Sequence, residues 1–264
     1  LRRMIAPFIL RRLKADVLHE LPEKLENIVI SKMDTEQEKL YCAHVKQLRD
    51  SLKSSTGKTL GKDAIRVLAE LTRLRQICCD PSLFYENYTG GSAKMETCMN
   101  IIRETVDNGH KALLFSQFTS MLEIFEKRLR EEKIDFFTLT GATGKEKRMS
   151  LVNSFQNGKT PVFLISLKAG GTGLNLTAAD VVIHYDPWWN TAAQEQATDR
   201  AHRIGQKHVV TVYKFIAKGT IEESILKLQE SKRSLAESII SENSDVSSSL
   251  TKDDILAILE GDGK

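Results

Sequence analysis

Gln196, Arg200 and Arg203 follow one another at spacings of four and three residues, which on a helix would place all three on one face. Two guanidiniums so arranged suit a polyphosphate, because Arg meets phosphate with a planar, permanently charged fork. Upstream lies a loop with Gly170, Gly171 and Gly173, where backbone can pass close to a ligand. Taken singly, a glycine-rich loop is a turn and an arginine pair a solvated face. Their order along the chain gives them chemical meaning. The apolar run Val162 to Ile165 feeds the glycine loop, and a second run, Val181 to Tyr185, ends at Asp186-Pro187 just before the arginine segment. Two strand ends therefore meet the arginines, and strand ends are where ligands sit in open α/β sheets.

The elements that must position these groups alternate in period. Helical patterns at 94–108, 120–132 and 145–156 alternate with strand patterns at Ala112 to Ser116, Phe136 to Leu139 and near 162, 181 and 209. That alternation predicts a parallel sheet with covering helices. Ahead of it, from Ser31 to about Tyr88, the pattern is helical, with Thr35-x-x-Glu38 as a capping box and a polar gap from Ser54 to Lys62. Residues 1 to 30 carry two arginine pairs and an apolar helical rhythm that stops at Pro22. This stretch reads either as an amphipathic helix or as a connection between two lobes. A helix from Gly219-Thr220 to about Ser241, a Ser-rich linker and a short helix over 250–259 close the chain.

A nucleotide cradle is missing. Gly57-Lys58-Thr59 and Gly158-Lys159-Thr160 match the end of G-x-x-x-x-G-K-[ST], but Leu52 and Asn153 stand where the leading glycine belongs. No strand ends in Asp-Glu, since Pro187 follows Asp186, so the magnesium carboxylate of a hydrolytic site is missing too.

The segment 162–206 resembles motifs five and six of superfamily-two helicase-like ATPases. DRAHRIGQ, following a Gly-Thr-Gly loop and an Asp-Pro-Trp-Trp-Asn turn, resembles the SWI/SNF family of DNA translocases. The resemblance implies a RecA-like three-layer α/β lobe at 93–217. It also implies an inter-lobe connection at 1–30, a helical protrusion at 31–92 and a C-terminal helical brace at 218–264. Arg203 would be the arginine finger and Arg200 a second phosphate contact, with Gln196, Gly171, Gly173 and Asn175 at the nucleotide. Ser116, Gln117, Lys168 and Thr172 would touch the DNA backbone; Trp189 would face DNA while Trp188 packs. Each of the DNA candidates reads equally, by itself, as a turn residue satisfied locally. His202 is expected to be structural.

ATP with Mg2+ would be bound mainly by a missing N-terminal lobe of a longer parent protein. Partners would be double-stranded DNA, that lobe, and DNA-bound proteins or RNA polymerase; an RNA-directed relative and a non-catalytic docking module are the alternatives. The setting would be cytoplasm or nucleoid in a prokaryote, nucleus in a eukaryote.

Composition sets the remaining bounds. The 264 residues, 41% hydrophobic, are enough for a proper core, and the net charge of +3 neither demands nor excludes nucleic acid. No apolar stretch is long enough to span a bilayer. Cys42, Cys78, Cys79 and Cys98 form no C-x-x-C pair, so neither a zinc site nor a disulfide framework is expected. Cys78 and Cys79 are expected in or near the core.

Overall fold

The computed structural model describes residues 21–54, 64–170, 173–239 and 259. The terminal helix expected at 250–259 lies outside them except for Leu259, as do Gly171, Thr172 and residues 1–20.

Six parallel strands form one sheet: β1 (Lys24–Ser31), β2 (Ala112–Ser116), β3 (Phe136–Leu139), β4 (Val162–Ser166), β5 (Val181–His184) and β6 (Val210–Ala217), in the order β1-β6-β5-β2-β4-β3. The inner strands β2 (ALLFS) and β4 (VFLIS) are buried at every residue. Parallel strands covered on both faces need such unbroken apolar runs. On one face α3 (Ala93–Asp107) and α4 (Thr119–Glu131) bury Met99, Ile102, Leu122 and Phe125 against Leu114, Leu164 and Ile183. On the other, α5 (Lys145–Asn157) and α7 (Thr191–Thr198) bring Phe155 and Ala197 onto Phe115, Phe163 and Ile165. The short α6 (Leu167–Gly170) follows β4 directly.

A third apolar cluster joins the α1 (Thr35–Ser54) and α2 (Ala64–Cys79) hairpin to α8 (Ile221–Ile239) through Leu48, Leu74, Ile77, Ile221 and Ile225. Cys78 and Cys79 are fully buried, and burial pushes both thiols up from their ordinary range, which leaves them unreactive at neutral pH.

The structure departs from the sequence expectations in two places here. Strand β1, from the segment after Pro22, pairs with β6 over eight residues, Lys24 opposite Val210 to Ser31 opposite Ala217. Its apolar residues are half-buried or exposed at this edge, so it lacks the full apolar run of β2 and β4. The cap of α1 is Asp34 rather than the expected Thr35, which is already helical: the Gln37 amide donates to Asp34 Oδ1 at 2.8 Å.

Candidate nucleotide and nucleic-acid site

Parallel register brings the strand ends together. Ser116 pairs with Ser166, Leu139 with Ile165, and Phe115 with His184, so the loops after β2, β3, β4 and β5 leave the sheet at one edge. A groove of about 620 Å³ lies there, lined by Gln117 after β2, Thr140, Gly141 and Ala142 after β3, and Ser166 and Lys168 at the end of β4. Its α4 wall carries Glu123 and Glu126, the latter paired with Arg130 at 2.6 Å.

Asp186 organises this edge from beneath. It is fully enclosed, accepts the Ser116 hydroxyl at 2.5 Å and the Gln117 amide at 3.2 Å, and lies 3.6 Å from the Arg75 guanidinium of α2. Burial raises its carboxyl above the ordinary carboxylate value, with Arg75 and Ser116 pulling the other way. Ser116 is 1% exposed and its hydroxyl is committed to Asp186. Its side chain therefore holds the strand end in place and does not face the groove, contrary to the expectation of a DNA contact. Gln117 and Lys168 do line the groove.

Trp188 and Trp189 are both half-buried. Trp188 packs on the sheet cluster, with Arg75 5.8 Å above its ring, and Trp189 packs on the cluster of the helical hairpin and α8. The carbonyl of Trp188 and the side-chain oxygen of Gln194 both accept from Gln229 of α8.

The arginine segment is not one continuous helix. Helix α7 is capped by Asn190, whose Oδ1 accepts from Ala192 N at 3.1 Å, and ends at Thr198. Beyond it the chain tightens: the amides of Arg200 and Ala201 bond three residues back, to Ala197 and Thr198, as at many helix ends. The Arg200 carbonyl turns aside to accept the Leu176 amide at 2.9 Å. Gln206, a residue for which the sequence suggested no role, closes the turn. Its buried Nε2 donates to the carbonyls of Thr177, Ala179 and Ala201, and its Oε1 accepts from the amides of Lys207 and His208. Gln196 is thus exposed on α7, whereas Arg200 and Arg203 sit on a pinned turn, and the expected common helix face is replaced by tertiary bonding.

Arg203 is exposed and Arg200 is only 9% exposed. Burial, and next the positive charge of Arg203, lower the Arg200 guanidinium from its ordinary value, with Asp199 opposing. His202 points its Nε2 to the Pro22 carbonyl at 2.8 Å and is structural, as expected. Gly173 (φ +44°) and Asn175 are exposed beside a second cavity of about 600 Å³ with Lys145 and Met149 on its α5 wall; the left-handed φ at 173 favours glycine. Among the described residues no cluster of His, Cys, Asp or Glu could hold a metal ion.

This geometry has close relatives. Residues 93–205 match the helicase conserved C-terminal domain and residues 1–83 the SNF2-related domain. The solved Sulfolobus solfataricus SWI2/SNF2 ATPase C-terminal domain superposes with a TM-score of 0.72 at 32% identity, over 90% of this chain and 99% of that one. The chain belongs to the SWI2/SNF2 family of helicase-type ATPases. The S. solfataricus SWI2/SNF2 ATPase core in complex with dsDNA matches at 38% identity with a TM-score of 0.71, over 91% of this chain and 51% of that one.

Among sequence relatives, an ATP-dependent helicase of Mycoplasma pneumoniae is 40% identical over 264 residues, 98% of this chain and 25% of its own length. The mouse SWI/SNF-related matrix-associated actin-dependent regulator of chromatin subfamily A member 1 is 34% identical over 275 residues, 98% of this chain and 26% of its own. The SWI2/SNF2 chain described here thus spans about a quarter of the length of the curated relatives it matches. Its three-layer sheet is the RecA-like fold of that family's C-terminal lobe.

Three features of this SWI2/SNF2 lobe escaped the sequence reading: Asp186 as a buried hub, Gln206 as the pin of the arginine turn, and Arg75. For Arg75 a signal existed, because it shares a helix face with Leu71 and Cys78, four residues before and three after, on an otherwise apolar stripe.

Proposed function

We propose that this chain is the second RecA-like lobe of an ATPase that is stimulated by duplex DNA and translocates along it, remodelling protein–DNA complexes. The observation that carries the reading is the pair Arg200 and Arg203 on a pinned turn. Two neighbouring guanidiniums make a positively charged turn, and Arg meets phosphate with a planar, permanently charged fork. A γ-phosphate presented by a first lobe supplies the anion, and the charge developing during phosphoryl transfer is what an arginine finger stabilises. In this reading Arg203, the exposed member, is the finger and Arg200 the second phosphate contact, with Gln196, Gly171, Gly173 and Asn175 around the nucleotide. The chain has no phosphate-cradling G-x-x-x-x-G-K-[ST] of its own. ATP and its Mg2+ are therefore held mainly by the first lobe, and this lobe alone does not hydrolyse ATP.

DNA runs along the strand-end groove. Gln117, Lys168 and Thr172 meet backbone phosphates without reading bases, as movement along any sequence requires, and the part of Trp189 left uncovered by the hairpin and α8 faces DNA. Closure of the lobes on ATP supplies the step. Residues 1–30 connect the lobes, 31–92 form the protrusion, 93–217 the lobe and 218–264 the brace; β1 fastens the connection to this sheet.

The test is ATP hydrolysis by the full-length protein, with and without duplex DNA. Arg203→Ala is expected to lower the DNA-stimulated rate by about a thousandfold or more. A rate indifferent to DNA and to the substitution would leave a docking module in place of a motor. Stronger stimulation by RNA than by duplex DNA would redirect the reading to an RNA-acting relative.

A further inference from the structure

Arg75 lies on α2, within the SNF2-related segment, yet most of its contacts are with the helicase segment. It is 3% exposed and is held between the rings of Phe118 and Trp188. One nitrogen, Nη2, donates to the Pro187 carbonyl and lies 3.6 Å from Asp186; the other, Nη1, donates to Gln117 Oε1 at 2.9 Å. A guanidinium carries donors only, so the Gln117 atom it meets must be the oxygen, and this settles which way the carboxamide faces. Nε2 is then directed away from Arg75. Among the described residues it has no hydrogen-bond partner, and it is shielded from solvent, in a side chain that lines the strand-end groove. A buried donor without an acceptor is an unfavourable state that an incoming oxygen relieves. The Asp186 network holds the backbone on the other side, through the Gln117 amide. The carboxamide oxygen and the backbone amide of Gln117 are therefore both held.

We infer that Arg75 is a positioning residue: by gripping the Gln117 carboxamide oxygen, the helical hairpin holds the Nε2 donor, covered in the DNA-free lobe, at the groove wall, where a shift of the surrounding lining on DNA entry uncovers it to a backbone phosphate oxygen. This rests on the DNA-motor reading above and adds to it a route by which the hairpin controls DNA affinity. Lysine in place of Arg75 keeps a positive charge near Asp186 but cannot serve the Pro187 carbonyl and Gln117 together, since it lacks the fork.

The experiment is a double-mutant cycle in the full-length protein, with Arg75→Lys, Gln117→Leu and the pair. Affinity for a duplex oligonucleotide is measured by fluorescence anisotropy at one fixed salt concentration, and Tm is recorded for each variant. Each single substitution is expected to weaken binding by about tenfold, the scale of one hydrogen bond to a charged group. The pair is expected to be no weaker than the weaker single, because Arg75 acts through Gln117. Gln117→Glu provides a second reading. It keeps the bond to Arg75 but puts a negative charge where the donor stood, so DNA affinity should fall.

Losses that multiply in the pair, or wild-type affinity in Arg75→Lys, would overturn the inference. So would wild-type affinity in Gln117→Glu. If the wild-type protein ignores duplex DNA, this inference and the motor reading fall together. If the wild type binds and Arg203→Ala abolishes stimulated hydrolysis while Arg75→Lys binds normally, the motor stands and only the positioning role is lost.

Discussion

Replacing Lys94 by Met should be among the most damaging single changes in the core of this lobe. Lys94, in the first turn of α3, is 2% exposed, and its ammonium meets both oxygens of Glu222, which is 0% exposed, at 2.7 and 2.8 Å. Glu222, in the first turn of α8, also accepts the Ala217 amide from the end of β6 at 2.7 Å. Burial by itself would lower the Lys94 ammonium, but Glu222 more than offsets this and the group is raised. At an effective dielectric constant of about 20, opposite unit charges this close attract by about 6 kcal/mol. Desolvation of both ions consumes most of that, so the intact pair adds little net stability.

The single substitution is different, since it keeps the desolvation of Glu222 and removes its return. A loss of about 3–5 kcal/mol is expected. Lys94→Met combined with Glu222→Gln should regain more than half of it, because the glutamine oxygen still accepts from Ala217 and no unpaired charge remains. The assay is urea unfolding followed by tryptophan fluorescence. Both tryptophans, Trp188 and Trp189, lie where α8 and the hairpin meet the sheet. A loss below about 1 kcal/mol in Lys94→Met, or a double variant no more stable than the single, would refute the reasoning.

The acid limb of stability should owe a share to His184, which stacks on Phe115 and shares a 2.8 Å hydrogen bond with Thr198. Burial, then the charge of Lys214, bring its pKa down to about 3. The unfolded chain takes up a proton near pH 6.5 and the folded one does not, so stability is full above that pH and falls as pH drops toward about 3. In His184→Phe the pH slope of stability over that window should lessen by about one proton, read from urea midpoints at a series of pH values. Gln206→Ala should free the arginine turn by removing the donor shared by the Thr177, Ala179 and Ala201 carbonyls, the last of which keeps the Arg203 amide, at a cost of about 1–3 kcal/mol. Stimulated ATP hydrolysis should fall with it; an unchanged rate would show that the turn holds its shape without the glutamine.

The strands and helices of the sheet were largely legible in the chain, because β2 and β4 are continuous apolar runs and the covering helices keep a helical period. The motif residues were legible too, as the family resemblance of DRAHRIGQ after a Gly-Thr-Gly loop and an Asp-Pro-Trp-Trp-Asn turn. The sequence could not show β1, whose apolar residues are half-buried or exposed at a sheet edge and whose partner β6 lies almost two hundred residues away. Nor could local pattern show that α7 stops at Thr198. Helical spacing runs on through Arg200 and Arg203, and only bonds from Leu176 and Gln206 bend the backbone away. Ser116 reads as a free hydroxyl after a strand until Asp186, seventy residues on, accepts its hydrogen bond. Arg75 reads as a stray charge on an apolar stripe until the fold sets Asp186, Pro187 and Gln117 around it. Residue type and spacing carried the family of this lobe, because its motifs are local; which polar groups stay open at the strand ends and which are consumed in holding them was decided by long-range hydrogen bonds that exist only once the chain has folded.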